Sequence, residues 1–414
     1  MARLEARRKE LKPPPTRVVI DVRPLQEPER TPITAEYLGS LLGAFAADPL
    51  EGESFVVLAR ALRPDPTVEL AEHGLPVAGR RVLPPTSRVF RAAGLTLDSF
   101  LLRAAEAGAR APGGTVYHTA GGAVPLASEL PVVATLLDLA AWELPELYAA
   151  SPAARFGHRL RARVLRDAAR VIVCSSATAD SVGRRLHVPR ERIAVVGLAV
   201  DEAFRTAGRD RDRQAGLRQR LGLPERYLVF AGRYDARKDT PTLFAALRSL
   251  RETEKPAVLV WAGPFDSYDE RESLLATIAR SGAGSSIHLA PVLDSLDRAA
   301  LVGGASGLVY PALSDATGQS VLEAHSLAVP VICSRAGALP ELVGNAGIVV
   351  EPRDARRLAS AIGALWDGGT LAAQLTRAAR KRADGWTRSW RDVGRETRAV
   401  YAAAAAEALN RLSR

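Results

Sequence analysis

Short, unbroken apolar runs alternate with helical stretches along this chain, and that alternation leaves few folds open. Arg17-Val-Val-Ile-Asp-Val22, Ser54–Ala59, Thr115–His118, Pro131–Leu136, Arg170–Cys174 and Ile193–Val196 all have the length of a strand. Ala35–Ala47, Ser99–Ala107 and Ala177–Leu186 between them carry helical periodicity. A strand that is apolar on both faces must be covered on both faces, which is the signature of a parallel sheet flanked by helices. The same plan restarts at Tyr227–Ala231. It continues through strands at Ala257–Ala262, Ser286–Leu289, Gly307–Tyr310, Val331–Cys333 and Gly347–Val350. Helices are expected at Thr240–Leu250, Leu296–Gly303 and Ala355–Trp366, and a long one closes the chain from Trp390 to Leu409. A length of 414 residues suits two such units.

The net charge of +10 is carried almost wholly by arginine, since Lys9, Lys12, Lys238, Lys255 and Lys381 are the only lysines. Richness in arginine and alanine reflects genomic base composition more than function, and an anionic membrane surface is the other reading. No nucleic-acid-binding module or aromatic stacking platform accompanies the charge, so nucleic acid is not expected as a partner. Cys174 and Cys333 fall in different halves at buried strand ends, which implies no disulfide framework and suits a reducing cytoplasm. The basic N-terminus runs into Pro13-Pro14-Pro15 rather than an apolar segment, so it is not a secretory signal. No uncharged apolar run reaches membrane-spanning length.

Chemistry concentrates in the second half. Pro311-Ala-Leu-Ser-Asp-Ala-Thr-Gly-Gln-Ser-Val-Leu-Glu323 leads from a strand into a helix, so Asp315 and Glu323 bracket a glycine turn. A helix N-terminus attracts phosphate, and carboxylates hold sugar hydroxyls. The half opens with Phe230-Ala-Gly-Arg-Tyr-Asp-Ala-Arg-Lys238, where Arg233 and Lys238 sit on a loop beyond the carboxyl end of a strand. There they can grip a diphosphate, each charge-assisted hydrogen bond being worth roughly 1.5–3 kcal/mol. Lys238 stands out because the chain so rarely uses lysine. Elsewhere, Asp210-Arg-Asp212 spells a metal-binding Asp-x-Asp but lies in an arginine-rich linker with no strand before it. The histidines show no metal-ligand spacing, and no metal is expected. His118 and Asp138 end strands and are candidates for the acceptor side of a cleft. Arg155–Arg166 is a basic amphipathic stretch whose Phe156, Leu160 and Val164 form a stripe that packs on its own sheet or meets an anionic membrane.

Gly232-Arg233 with Arg237-Lys238, Ala262-Gly263-Pro264, Tyr310-Pro311, Leu322-Glu323-Ala324, Pro330-Val331, Gly337–Glu341 and Gly344–Gly347 together resemble the retaining nucleotide-sugar glycosyltransferases of family 4. The resemblance runs from Tyr227 to Trp390. Asp21–Pro24, His118-Thr119, Asp138-Leu139, Pro145-Glu146, Ser175 and Val196–Asp201 match more loosely in the first half. It implies the GT-B fold: two Rossmann-like domains, α/β with parallel sheets, facing a central cleft. The expected division is a basic tail over 1–16, an acceptor-side domain over 17–205, a linker over 206–224, a nucleotide-sugar domain over 225–388, and a helix over 389–414 returning to the first domain.

By the same resemblance, Glu323 would bind the donor ribose, and Arg233 and Lys238 would neutralise the departing diphosphate without a metal or cofactor. Asp315 would touch the donor sugar, with Gly232, Gly318, Gln319 and Ser320 lying near diphosphate and sugar. The implied activity is transfer of a hexosyl unit, mannosyl or glucosyl, from a nucleoside-diphosphate sugar to a glycan or lipid-linked acceptor, with retention. That work belongs to cell-surface polysaccharide or glycolipid synthesis at the inner face of a bacterial membrane. Departures from the family pattern are Asp315 in place of glutamate, Ala316-Thr317-Gly318, Leu137 in place of a histidine, and Glu29–Ala35 in place of a glycine-rich loop. They motivate the alternative of a catalytically silent relative that binds a nucleotide sugar or a partner enzyme.

Overall fold

Thirteen strands assemble into two parallel sheets in a computed structural model that describes residues 16–83, 114–121, 124–253, 256–263 and 268–413. The expected helix at Ser99–Ala107, the basic tail up to Pro15, and Pro264 lie outside the described residues. The first sheet contains β1 (Arg17–Asp21), β2 (Ser54–Arg60), β3 (Val77–Leu83), β4 (Thr115–Ala120), β5 (Val132–Thr135), β6 (Arg170–Val173) and β7 (Ile193–Val195). Its order is β3-β2-β1-β4-β5-β6-β7. The second contains β8 (Leu228–Ala231), β9 (Leu259–Ala262), β10 (Ile287–Leu289), β11 (Gly307–Tyr310), β12 (Val331–Ser334) and β13 (Gly347–Val350), in the order β10-β9-β8-β11-β12-β13.

Strand order reverses between β1 and β4 in one sheet and between β8 and β11 in the other. At such a switch point the loops leaving neighbouring strands diverge to opposite faces and open a crevice at the carboxyl ends. The two crevices face one another. Helix Pro32–Ala47 follows β1 and presents Glu36 and Tyr37 to the second domain's Arg233, Arg298 and Ser320 across one cavity.

The closing helix, Trp390–Leu412, starts at a capping box between Ser389 and Asp392 and packs on helix Pro32–Ala47. It is tied to the first domain by a bidentate pair, Arg398 with Glu53, both bonds at 2.8 Å. Tyr401 adds a hydrogen bond between its hydroxyl and Nδ1 of His118, 2.7 Å.

The stretch expected as a linker contains two helices, Glu202–Arg209 and Arg211–Leu221. Asp210 caps the second by accepting from the N–H groups of Asp212 and Arg213, both at 3.0 Å, which gives the Asp-x-Asp sequence a structural role. Phe204, Ala207 and Leu217 are buried among the arginines, and helix Glu202–Arg209 packs on helix Ser295–Gly303 of the second domain. Sparse apolar anchors in an arginine-rich stretch did not mark the first of these helices in the sequence.

Candidate active site

The cavity between the domains has a volume of about 440 Å³, within the range of small-molecule sites. Gly232, Arg233, Lys238, Asp315, Gln319 and Ser320 all line it, so the two loops singled out in the sequence meet on one wall.

Lys238 comes from the turn after β8 and Asp315 from the turn after β11. The ammonium Nζ lies 3.2 Å from Asp315 Oδ2, hydrogen-bonds the Tyr310 hydroxyl, and sits over that ring at 4.2 Å from its centroid. Tyr310 in turn donates to Asp315 Oδ2 at 2.8 Å. The other carboxylate oxygen accepts from the N–H groups of Thr317 and Gly318, 3.1 and 2.7 Å, and from the Thr317 hydroxyl, 3.2 Å. Burial alone would push this carboxyl up, but Lys238, the Gly318 N–H and Tyr310 hold it well below the usual carboxylate range. Burial in turn lowers the Lys238 pKa, with Asp315 opposing. The result is a desolvated ammonium paired with Asp315 and Tyr310 at the cavity wall.

Asp315 thus uses both oxygens inside the protein. A side chain of this length closes an Asx turn onto the second and third N–H groups beyond it, whereas glutamate is one methylene too long. Gly318 completes the turn at φ 63°, and a Cβ there would lie 2.1 Å from Cδ1 of Leu342. Helix Gln319–Ser326 starts immediately after it, and Ser320 Oγ donates to the Ala231 carbonyl at 3.0 Å, pinning the helix start to β8. Gly263 is needed for a different reason: a Cβ on it would lie 1.9 Å from the Gly232 carbonyl oxygen, where the turns after β8 and β9 touch.

Glu323 is placed differently from Asp315. It is buried one turn into the helix and does not line the cavity. Arg298 does line it and covers Glu323, Nη1 to Oε2 at 2.5 Å, while reaching Glu36 of the first domain at 3.4 Å. Arg298, Glu36 and Tyr310 were not among the residues expected at the site. One more arginine in an arginine-rich chain carries no signal, and Glu36 lies in a helix that looks structural.

On the first domain's side, Asp138 lies in an adjoining pocket, accepting the Ala140 N–H at 2.8 Å and pairing with Arg237 of the second domain at 2.7 Å. His118 does not reach the cleft, which corrects its assignment as an acceptor-side residue. It is fully buried, bonded through Nε2 to the Thr135 hydroxyl at 2.9 Å and through Nδ1 to Tyr401. Burial pulls its pKa down to about 3, so it stays neutral. It joins the closing helix to the sheet core.

Further contacts hold the domains together around the cavity. Tyr148 donates to Asp235 at 2.7 Å, Ser314 to Glu143 at 2.6 Å, and Thr178 to the Ala316 carbonyl at 2.9 Å. Glu341 accepts from the N–H groups of Ser176 and Ala177 at the start of helix Ser176–Leu186, where a carboxylate is favoured.

Residues 37–204 match the family described as Glycosyltransferase Family 4, and residues 225–368 match Glycosyl transferases group 1. A D-inositol 3-phosphate glycosyltransferase from Salinispora arenicola (strain CNS-205) is 32% identical over 233 residues, covering 53% of this chain and 52% of that protein. The chain spans about half the length of the curated relatives it matches. Among solved structures, sucrose-phosphate synthase (tll1590) from Thermosynechococcus elongatus aligns with TM-score 0.68 and 20% identity, covering 94% of this chain and 98% of that one. Anabaena Alr3699/HepE in complex with UDP and glucose aligns with TM-score 0.63 and 17% identity, covering 96% of this chain and 99% of that one. At those identities the two structures speak for the shared fold.

Proposed function

We propose, from the premise that this chain belongs to the group 1 glycosyl transferases and carries a glycosyltransferase family 4 region in its first domain, that it transfers a hexosyl unit from a nucleoside-diphosphate sugar to a glycan or lipid-linked acceptor with retention. The observation that carries the reading is the Lys238–Tyr310–Asp315 cluster on a cavity wall at the β8/β11 switch point. A charged, desolvated ammonium there suits a diphosphate, and Arg233 flanks it on the same wall. Their positive charge would stabilise the leaving diphosphate as the bond from C1 to it breaks and the bond from C1 to the acceptor oxygen forms on the same face, the acceptor hydroxyl's proton passing to the departing phosphate oxygen. Such a site takes from two side chains the charge that metal-dependent transferases take from a cation. The contacts bridging the domains would keep water from the donor. Gln319 and Ser320 would meet the diphosphate at the helix start, and Glu323 would receive the ribose once Arg298 gives way.

A second reading, a silent relative that binds a nucleotide sugar or a partner enzyme, is favoured by one observation: Glu323 is closed off behind Arg298. Calorimetry with a panel of nucleoside-diphosphate hexoses, beside transfer and hydrolysis assays, separates the two. Submicromolar to micromolar binding with turnover on some acceptor supports the transferase. Binding with no turnover across the acceptor panel supports the silent relative.

Polysaccharide or glycolipid synthesis at a membrane face belongs to the same proposal. No helix among the described residues is long and apolar enough to cross a membrane. Helix Pro152–Asp167 leaves Phe156 65% exposed beside Arg155 and Arg159, a combination suited to anionic lipid. Cosedimentation with anionic vesicles, lost in Phe156→Ala, would bear this out, and equal sedimentation of both proteins would refute it.

A further inference from the structure

The opposite face of helix Pro152–Asp167 turns inward, and there it builds a second pocket. Its volume is about 420 Å³, and it shares Leu137, Arg233 and Arg237 with the cavity described above. It therefore opens beside the expected donor sugar, on the first domain's side. His158 and Arg161, one helical turn apart, both line it. The Arg161 guanidinium carbon lies 5.4 Å from the centroid of the Trp142 ring, and Trp142 is itself anchored by donating to the His158 carbonyl at 3.2 Å.

The charges in this pocket are unevenly satisfied. Arg237 is paired with Asp138 at 2.7 Å and with Asp235 at 3.5 Å, and Arg30 with Glu27 at 3.1 Å. Arg161 forms no hydrogen bond or ion pair among the described residues, and Asp138 acts on it only from longer range. Burial pulls its pKa down, and Asp138 opposes that only in part. Nδ1 of His158 is likewise buried without a hydrogen-bond partner. Guanidinium groups left unpaired in a concave site are the usual receptors for phosphate and carboxylate, which they bind in a two-pronged geometry. Trp142 packs against the guanidinium, which reduces the conformational freedom lost on binding.

Resting on the glycosyltransferase reading, we propose that this pocket is an oxyanion subsite for the acceptor, in which Arg161, with His158 beside it, receives a phosphate or carboxylate carried on the sugar or polyol whose hydroxyl is glycosylated. The neutral part of the acceptor would then lie toward Leu137 and the first cavity, with its hydroxyl directed at the donor.

The test separates this inference from the reading beneath it. UDP, GDP, ADP and dTDP are first titrated into the full chain by calorimetry; if none binds, the donor reading fails by itself. Glucose 6-phosphate, glucuronate and glucose are then titrated, in the presence of whichever nucleotide binds or alone if none does. At least one of the two acids is expected to bind tenfold or more tightly than glucose. A tighter phosphate identifies a phosphorylated acceptor, and a tighter glucuronate an acidic sugar. Arg161→Gln should abolish the preference while leaving the unfolding temperature and the nucleotide affinity unchanged, and Arg161→Lys should keep part of it. Equal binding of acids and glucose, no detectable binding of the acids at millimolar concentration, or a preference that survives Arg161→Gln would overturn the proposal.

Discussion

Arg298 holds Glu323 from the cavity side, with Nη1 2.5 Å from Oε2, so the carboxylate expected to meet a ribose is already occupied. A donor would have to draw Arg298 aside or use it. Either way the charge on Glu323 contributes to binding, directly to hydroxyls or by aligning Arg298. Glu323→Gln is therefore expected to weaken nucleoside-diphosphate binding about tenfold, or about 1.4 kcal/mol, measured by calorimetry. It should also lower the unfolding temperature, because Arg298 loses its closest partner. Unchanged affinity would remove Glu323 from the donor site.

Glu36 shares the same arginine from across the domain interface, and its surroundings oppose its ionisation. Burial, and then Glu323, raise its pKa from 4.5 to about 7, with Arg298 opposing. The side chain is still 47% exposed, so solvent screening reduces the energetic consequence. The sign follows from proton counting. Between about 4.5 and 7 the folded protein retains a proton that the unfolded chain has released, so stability from this group falls as pH rises through that window. Above the window both states are ionised and the slope vanishes. Glu36→Gln should flatten this component: from pH 5 to pH 8 the wild type should lose unfolding temperature relative to the variant. Parallel curves would show that Glu36 titrates normally.

Asp315 closes the turn onto Thr317 and Gly318 through Oδ1 while Oδ2 holds Lys238 and Tyr310. Glutamate would bring the chain closer to the pattern of the family it resembles, yet it cannot serve both sets of partners from this backbone. Asp315→Glu is expected to cost about 1–3 kcal/mol of stability through displaced buried hydrogen bonds and to reduce nucleotide affinity by misplacing Lys238. Denaturant unfolding and calorimetry read the two effects. A variant as stable as wild type, with equal affinity, would show that the turn tolerates the longer side chain.

The parallel sheets were readable because most of their strands are apolar along their length, as in Val229-Phe-Ala231 and Leu308-Val-Tyr310, where both faces are buried, whereas the edge strand β3, with Arg80 and Arg81 in its middle, carries no such run and was missed. Lys238 and Asp315 were readable because each sits where a strand ends, and strand ends at a switch point define the crevice. Periodicity does not report which side chain covers another. Glu323 and Arg298 are separate in sequence, and their pairing depends on how helix Ser295–Gly303 packs beside helix Gln319–Ser326. His118 misled for the same reason. It lies on a strand that points toward the cleft, but its side chain turns into the core, where Thr135 and Tyr401, the latter returning from the far end of the chain, satisfy its two ring nitrogens.

That return depends on Arg398 and Glu53, whose side chains are 6% and 5% exposed and joined by two bonds of 2.8 Å. Such a pair gains little over apolar packing, because desolvation offsets attraction, but losing one partner strands a buried charge. Arg398→Ala should therefore cost about 3–5 kcal/mol. For a domain of this size the unfolding temperature of the first domain should drop by roughly 10 °C. The double replacement Glu53→Leu with Arg398→Met should recover most of that loss, since no charge is then left unpaired. Scanning calorimetry of the two variants decides the matter. If the single variant loses less than about 1 kcal/mol, the pair behaves like an exposed one and the closing helix is held mainly by its apolar contacts with helix Pro32–Ala47.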